Sequence, residues 1–241
     1  MKTILIGIQP TGRLHLGHYL GVIKPAIELD KQGELIEFMV ADYHALTTQK
    51  EVTADNLFEV LHRFGFNNIN YQDRKAPELF WKMIAQEPIG NLKHLPQFKS
   101  KEKTLGMLTY PVLMACDIIL SKCDAVLVGE DQLPHMEYYR YLARKHGYKV
   151  AETIIVPSSK VMSIKDPTKK MSKSLGDDHC IYLDDTLEDI KSKVKKAPTT
   201  PKGLTQLRKL SKIFGVTYNG KENAKSKEQL AVAIYNTIAR Q

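Results

Sequence analysis

The sequence predicts an α/β fold, a doubly wound parallel sheet covered by helices on both faces, followed by a small helical appendage. Three observations predict it. Short runs rich in β-branched residues alternate with stretches of helical apolar spacing as far as Tyr182. Beyond Tyr182 the strand signals stop and only helical spacing remains. The net charge of +8 also sits entirely in residues 186–241, which hold 12 Lys or Arg against 4 Asp or Glu. We therefore read an α/β domain over 1–184 and a basic helical domain over 185–241.

Thr3–Ile8 (TILIGI) reads as a buried strand ending in a Gly/Pro/Thr turn. Helical spacing follows over Leu14–Leu29, then a second strand over Glu34–Ala41 (ELIEFMVA). Thr53 can cap a helix that runs to Phe64 and stops at Gly65. A weaker strand at Asn68–Gln72 precedes helical stretches at Pro77–Gln86 and Leu108–Leu120. Asp124–Val128 (DAVLV) is the clearest later strand, with a helix from Pro134 to His146 after it. In the tail, Thr186 with Asp189 and Ser226 with Gln229 resemble capping boxes, and Ala197–Pro201 (APTTP) breaks one helix from the next. A sheet of this kind binds ligands at the carboxyl ends of its strands.

Composition excludes several classes of protein. At 241 residues, 43% hydrophobic and 26% charged, the chain is long enough for a core and too apolar for disorder. Its cysteines, Cys116, Cys123 and Cys180, are odd in number and form no CxxC pair, so neither a disulfide framework nor a zinc finger is expected. That pattern suits a reducing, cytoplasmic compartment. No apolar run approaches a membrane span, so no membrane partner is expected. The basic tail suits a polyanion, because lysine and arginine gain affinity by releasing phosphate counterions. A solvated lysine-rich helical surface explains the same charge equally well.

Two segments carry chemistry. Pro10–His18 (PTGRLHLGH) follows the first strand and opens a helix. Free amides at such a turn favour an anion, and His15 and His18 fall on one helical face. As imidazoles they can donate to phosphoryl oxygens, ligate a metal or merely cap the turn, and spacing alone leaves all three open. Lys169–Gly176 (KKMSKSLG) is a loop of lysines and small polar residues. Ammonium groups suit a triphosphate or a departing pyrophosphate, although an exposed lysine loop would look the same in isolation.

Together, His-Leu-Gly-His and Lys-Met-Ser-Lys-Ser resemble the paired signatures of class I aminoacyl-tRNA synthetases. GIQPTG at Gly7–Gly12, ADYHALT at Ala41–Thr47, QFK at Gln97–Lys99, YPVLMACDI at Tyr110–Ile118 and VGEDQ at Val128–Gln132 narrow the match to the bacterial-type tryptophanyl branch. The resemblance runs with gaps to about residue 196 and implies a Rossmann-like fold of the class I synthetase (HUP) type. Tyrosyl enzymes are the nearest competitor. Where these carry a tyrosine before the first-strand glycine and a glutamine before the helix aspartate, this chain has Leu5 and Met114. An apolar slot with one acceptor suits an indole better than a phenol.

The resemblance implies a role for each matching residue. Asp117 accepts the indole N–H, while Leu5, Met114, Val126 and Val128 form the apolar wall and His44 stands near the ring. Tyr110, Gln132 and Gln9 hold the substrate's ammonium and carboxylate. His15 and His18 contact the ATP phosphates, Ile8, Gln9 and Gly17 line the nucleotide, and Gly129 with Asp131 holds the ribose. Met162 and Met171 flank the adenine. Lys170, Ser172, Lys173 and Lys101 serve the triphosphate and the leaving pyrophosphate. No protein metal site is implied, and Mg2+ accompanies ATP. The implied partners are L-tryptophan, ATP, tRNA(Trp) and a second copy in a homodimer. Trp81 reads as packing, and Asp184 and Asp185 as charge complements at a helix entrance.

The chain departs from the family at its C-terminal side, where members carry a longer helical domain that reads the anticodon. Three alternatives follow. The chain makes tryptophanyl-adenylate for another acceptor, it is a non-catalytic tryptophan- or ATP-binding protein, or it is a nucleotidyltransferase that shares only the first motif. Damage to the histidines or loop lysines would mark a binding protein, yet all four are intact.

Overall fold

A computed structural model describes residues 1–47, 53–96, 104–157, 161–217 and 224–239. It is a Rossmann-like α/β structure. The chain divides into two compact units, one formed by Met1–Gly12, Gly21–Phe58 and Phe66–Ser158, the other by Arg13–Leu20, Glu59–Gly65 and Ser159–Gln241.

The first unit is built on a five-stranded sheet of order β3-β2-β1-β4-β5, with every neighbouring pair parallel. Its strands are β1 (Thr3–Ile8), β2 (Leu35–Val40), β3 (Ile69–Tyr71), β4 (Ala125–Gly129) and β5 (Glu152–Val156). β1, β2 and β3 progress outward in one direction and β4 and β5 in the other, so the sheet reverses between β1 and β4. Ligand crevices form at the carboxyl ends beside such a switch. The GIQPTG run leaves β1 there, and the VGEDQ run leaves β4 there.

Apolar residues, many of them β-branched, fill both faces of these strands, as a sheet covered on two sides requires. Ile4, Leu5, Ile6, Phe38, Val126 and Leu127 are all buried. The helices that cover this sheet include α2 (Lys24–Lys31), α5 (Ala76–Ile84), α7 (Leu105–Ser121) and α8 (Leu133–Lys145). α7 begins at Thr104, whose hydroxyl accepts the Met107 N–H at 3.2 Å. It ends at Lys122 in the left-handed region with φ of 56°. Val112, Ala115 and Cys116 of α7 pack with Met136 and Leu142 of α8 in one apolar cluster.

The short helices α3 (Asp42–Leu46) and α6 (Ile89–Lys93) and the strand β5 carry no signal picked out from the sequence. α3 and α6 are only five residues each, too short for helical periodicity to register. β5 (ETIIV) is a β-branched run followed by Pro157 and Ser158, but its burial is only partial, so its apolar signature is weak. Trp81, read as packing, is 70% exposed within this chain because it lies on the outer face of α5.

The second unit contains α1 (Leu16–His18), α9 (Leu187–Lys196), α10 (Pro201–Ile213) and α11 (Ala224–Ile238). Between α1 and α2 the backbone runs through a π-helical stretch, Tyr19–Ile23, in place of the continuous α-helix that the apolar spacing suggests. α4 (Asp55–Arg63) has its last residues in this unit, where Arg63 Nη2 donates to the Leu183 carbonyl at 2.6 Å. At α9 the predicted capping box is present in both directions between Thr186 and Asp189. Ser226 is not a cap: it lies inside α11, which already runs from Ala224, and it is buried. α9 packs on α11, and Lys227 of α11 donates to the carbonyls of Lys195 and Ala197, closing the α9 C-terminus.

Phe38 of β2 is fully buried and meets Phe66 edge-on with ring centroids 4.9 Å apart. Phe38→Ala should lower unfolding stability by about 3–5 kcal/mol. Urea denaturation followed by circular dichroism measures this.

Candidate active site

In the second unit, the histidine turn and the lysine loop are brought together by main-chain pairing. Leu16 N–H donates to the Ile181 carbonyl at 2.9 Å, and Leu183 N–H to the Leu14 carbonyl at 2.8 Å, forming an antiparallel bridge between His15 and Tyr182. Arg13 reinforces the pairing. Its Nε donates to both Asp184 carboxylate oxygens at 3.0 and 2.9 Å, its Nη2 reaches Asp185 at 3.0 Å, and its guanidinium lies 4.1 Å from the Tyr182 ring centre. Asp185 is buried and also accepts Lys193, so these aspartates are chiefly partners of Arg13 and Lys193 rather than complements of a helix entrance. Sequence reading missed Arg13, whose partners lie about 170 residues away.

His15 and His18 hold one another through the backbone. His15 Nδ1 accepts the Gly17 N–H at 3.0 Å, while His18 Nδ1 accepts the His15 N–H at 3.1 Å. With both Nδ1 atoms acting as acceptors, the ring proton of each neutral imidazole sits on Nε2. The rings lie 4.1 Å apart. Burial, then Lys173 and Lys170, lowers His15 to about 4. Burial, His15 and Lys173 lower His18 to about 3. At neutral pH the pair therefore offers two uncharged Nε2–H donors, and the positive charge belongs to the lysines.

Gly17 has a local reason to be glycine: a Cβ there would lie 2.7 Å from His15 Cε1. The lysine loop forms a small hairpin. Met171 N–H donates to Val161, Ser163 N–H donates to Lys169, and Met162 bridges Lys170. Met171 is buried, Lys173 is half-buried with its pKa lowered by that burial, and the Ser172 and Ser174 hydroxyls are 2.9 Å apart. Lys101 and the QFK run lie outside the described residues.

The first unit holds a separate buried polar cluster. Asp117 of α7 accepts from His44 Nε2 at 2.8 Å, and from Gln72 Nε2 at 2.9 Å to Oδ1 and 3.0 Å to Oδ2. Leu5 and Val126 pair in register on the adjoining strands, Val128 follows on β4, and Met114 of α7, partly buried, packs against the apolar cluster that contains all three. Tyr110 meets His44 edge-on at 4.5 Å and His135 at 5.5 Å. Burial, then Asp117 and Asp131, pushes its hydroxyl up to about 12, so it remains a proton donor. Gln132 links His135 Nδ1, at 3.0 Å, to Asp131 Oδ2, at 2.8 Å. A Cβ on Gly129 would lie 2.7 Å from Asp131 Oδ1, so that carboxylate closes over the end of β4. Ile8 is buried and Gln9 half-buried where β1 ends. Gln72 and His135 were missed from sequence, although Gln72 ends a recognised strand and a polar residue there faces the ligand-binding end of a sheet.

A sequence model of the family "tRNA synthetases class I (W and Y)" matches residues 1–231. This chain belongs to that family. A tryptophan–tRNA ligase of Rickettsia conorii is 38% identical over 224 residues, covering 82% of this chain and 68% of the relative. The crystal structure of a tryptophanyl-tRNA synthetase from Mycoplasma pneumoniae superposes with a TM-score of 0.77 at 31% identity, covering 99% of this chain and 85% of that one. A tyrosyl-tRNA synthetase from Archaeoglobus fulgidus, 19% identical, superposes at 0.78 over 99% of this chain and 87% of its own, which shows the shared fold. As a class I synthetase, the chain is an ATP-using aminoacyl-tRNA ligase.

The histidines of this synthetase predict a pH dependence. The folded pKa values of about 4 and about 3 lie below the ordinary 6.5, so between these limits the unfolded chain binds protons that the folded chain does not. Stability should therefore fall as pH drops from 6.5 towards 4. Urea midpoints at pH 7 and pH 5 measure the loss, which should be smaller in a His15→Gln/His18→Gln variant.

Proposed function

We propose that this synthetase activates L-tryptophan with ATP to tryptophanyl-adenylate and pyrophosphate, then transfers the tryptophanyl group to tRNA(Trp). The tryptophan–tRNA ligase of R. conorii and the M. pneumoniae structure support the assignment. The single observation that carries it is the buried Asp117 carboxylate on α7, one helical turn from Met114, which packs on the apolar cluster that holds Leu5 and Val126: one acceptor set against apolar walls suits an indole N–H. The wall positions at Leu5 and Met114 offer a phenol hydroxyl no hydrogen-bond partner.

The reaction needs no protein nucleophile. The tryptophan carboxylate attacks the α-phosphorus, a P–O bond forms, and the bond to the β-phosphate oxygen breaks as magnesium pyrophosphate leaves. Tyr110, Gln132 and Gln9 hold the amino acid's polar end. Asp131 with Gly129 holds the ribose, Ile8, Gln9 and Gly17 line the nucleotide, and Met162 and Met171 flank its adenine. His15 and His18 donate from Nε2 to phosphoryl oxygens. Lys170, Lys173 and Lys101, with the Ser172 hydroxyl, stabilise charge as it moves onto pyrophosphate. Mg2+ enters with ATP as part of the substrate. In the second step the terminal ribose hydroxyl of tRNA attacks the adenylate carbonyl and releases AMP.

The basic helices α9–α11 form the domain after residue 184 and grip tRNA phosphates. Lys202, Arg208, Lys209 and Lys212 are exposed along α10, a helix without an acidic residue. Two copies associate as a homodimer through the first unit, where Trp81, Ile89 and Leu105 are exposed. The enzyme works in the cytoplasm. Among the described residues no helix is long and apolar enough to cross a membrane.

ATP–pyrophosphate exchange without tRNA tests the first step. It should proceed with tryptophan and not with tyrosine, and exchange with tyrosine alone would overturn the pocket assignment. Lys170→Ala should lower exchange by about 10²–10³-fold while tryptophan binding changes less than about twofold. Charging of tRNA(Trp) should weaken steeply with salt, and adenylate formation without charging would point to another acceptor.

A further inference from the structure

Gln72 follows β3 and is 1% exposed. Its backbone N–H donates to the Val40 carbonyl at 3.2 Å, extending the β2–β3 pairing by one residue. Its side-chain oxygen accepts two backbone N–H groups at the start of α3, from Tyr43 at 2.8 Å and His44 at 3.3 Å. Two N–H donors can face only the oxygen of an amide, so the orientation of this side chain is determined. The NH2 group must face Asp117, where it spans both carboxylate oxygens at 2.9 and 3.0 Å. Reversing the amide would set NH2 against two N–H groups and oxygen against a carboxylate.

The consequence falls on Asp117. Its Oδ2 takes two donors, Gln72 and His44, whereas Oδ1 takes only Gln72. The carboxylate is locked in plane by a bifurcated contact and keeps its greater unused acceptor capacity on Oδ1. His44 contributes less restraint, since among the described residues its buried Nδ1 has no hydrogen-bond partner. We infer that Gln72 is a specificity-determining positioning residue, which fixes Asp117 as an acceptor for the substrate's ring N–H by tying it to the β3 end and the α3 N-terminus. This rests on the tryptophan reading above and assigns that specificity a source outside the residues lining the slot.

The test compares tryptophan with 3-benzothienylalanine, in which sulfur replaces the ring N–H at nearly constant shape. Wild-type kcat/KM in ATP–pyrophosphate exchange should favour tryptophan by on the order of 10²-fold. In Gln72→Leu the preference should shrink about tenfold, through a higher KM for tryptophan, with kcat and the analogue's KM nearly unchanged. A merely structural role would impair both substrates alike and leave the ratio intact, which would overturn the inference. Should Gln72→Leu fail to fold, Gln72→Met fills a similar volume with no donor to Asp117, and the same ratio decides. A wild-type chain that exchanges with neither amino acid overturns the tryptophan reading, and this inference with it. A preserved preference in a folded variant overturns this inference alone.

Discussion

Two main-chain hydrogen bonds, Leu16 to Ile181 and Leu183 to Leu14, carry the arrangement of the second unit. Without them the histidine turn and the lysine hairpin would be separate surface features. With them, a motif that follows the first strand and another beyond the last share one electrostatic environment. Arg13 adds charge to the pairing, but its side chain is 40% exposed, so solvent weakens what the ion pairs contribute. The bridge itself is closed by buried residues, Leu14, Leu16, Ile181 and Leu183, which shield its hydrogen bonds from water.

That environment divides labour between residue types. Histidine would be a poor cation here, because burial and two lysines both oppose its protonation. It serves instead as a directional donor, its tautomer set by backbone amides. Lysine supplies charge without a fixed direction, which suits a group that must follow phosphate as bonds break. The first unit uses another principle, in which a charged acceptor is kept in apolar surroundings by surrounding it with donors.

Much of this was legible in the sequence where a signal is local. The strand run TILIGI, the Thr186–Asp189 capping box and the two histidines declare themselves within a few residues, and each appears where expected. β5 escaped notice because a half-covered edge strand has a weak apolar signature. Ser226 misled because Ser-x-x-Gln is a cap only where the backbone has not yet turned helical, and here α11 starts earlier. Gln72 and Arg13 could not be assigned from neighbours at all. Their partners, Asp117 and Asp184, are distant in sequence, and only the parallel sheet and the antiparallel bridge bring them within reach.

The second unit is discontinuous, and this bears on how the chain is made. Residues 13–20 leave the ribosome long before residues 181–185 exist to pair with them. During synthesis the sheet can assemble first, while Leu14 and Leu16 wait without their cover. The unit that carries His15, His18 and the lysine hairpin is thus the last part to mature. A nascent chain therefore completes the parallel sheet of the first unit before the pairing that holds the His15 turn can close.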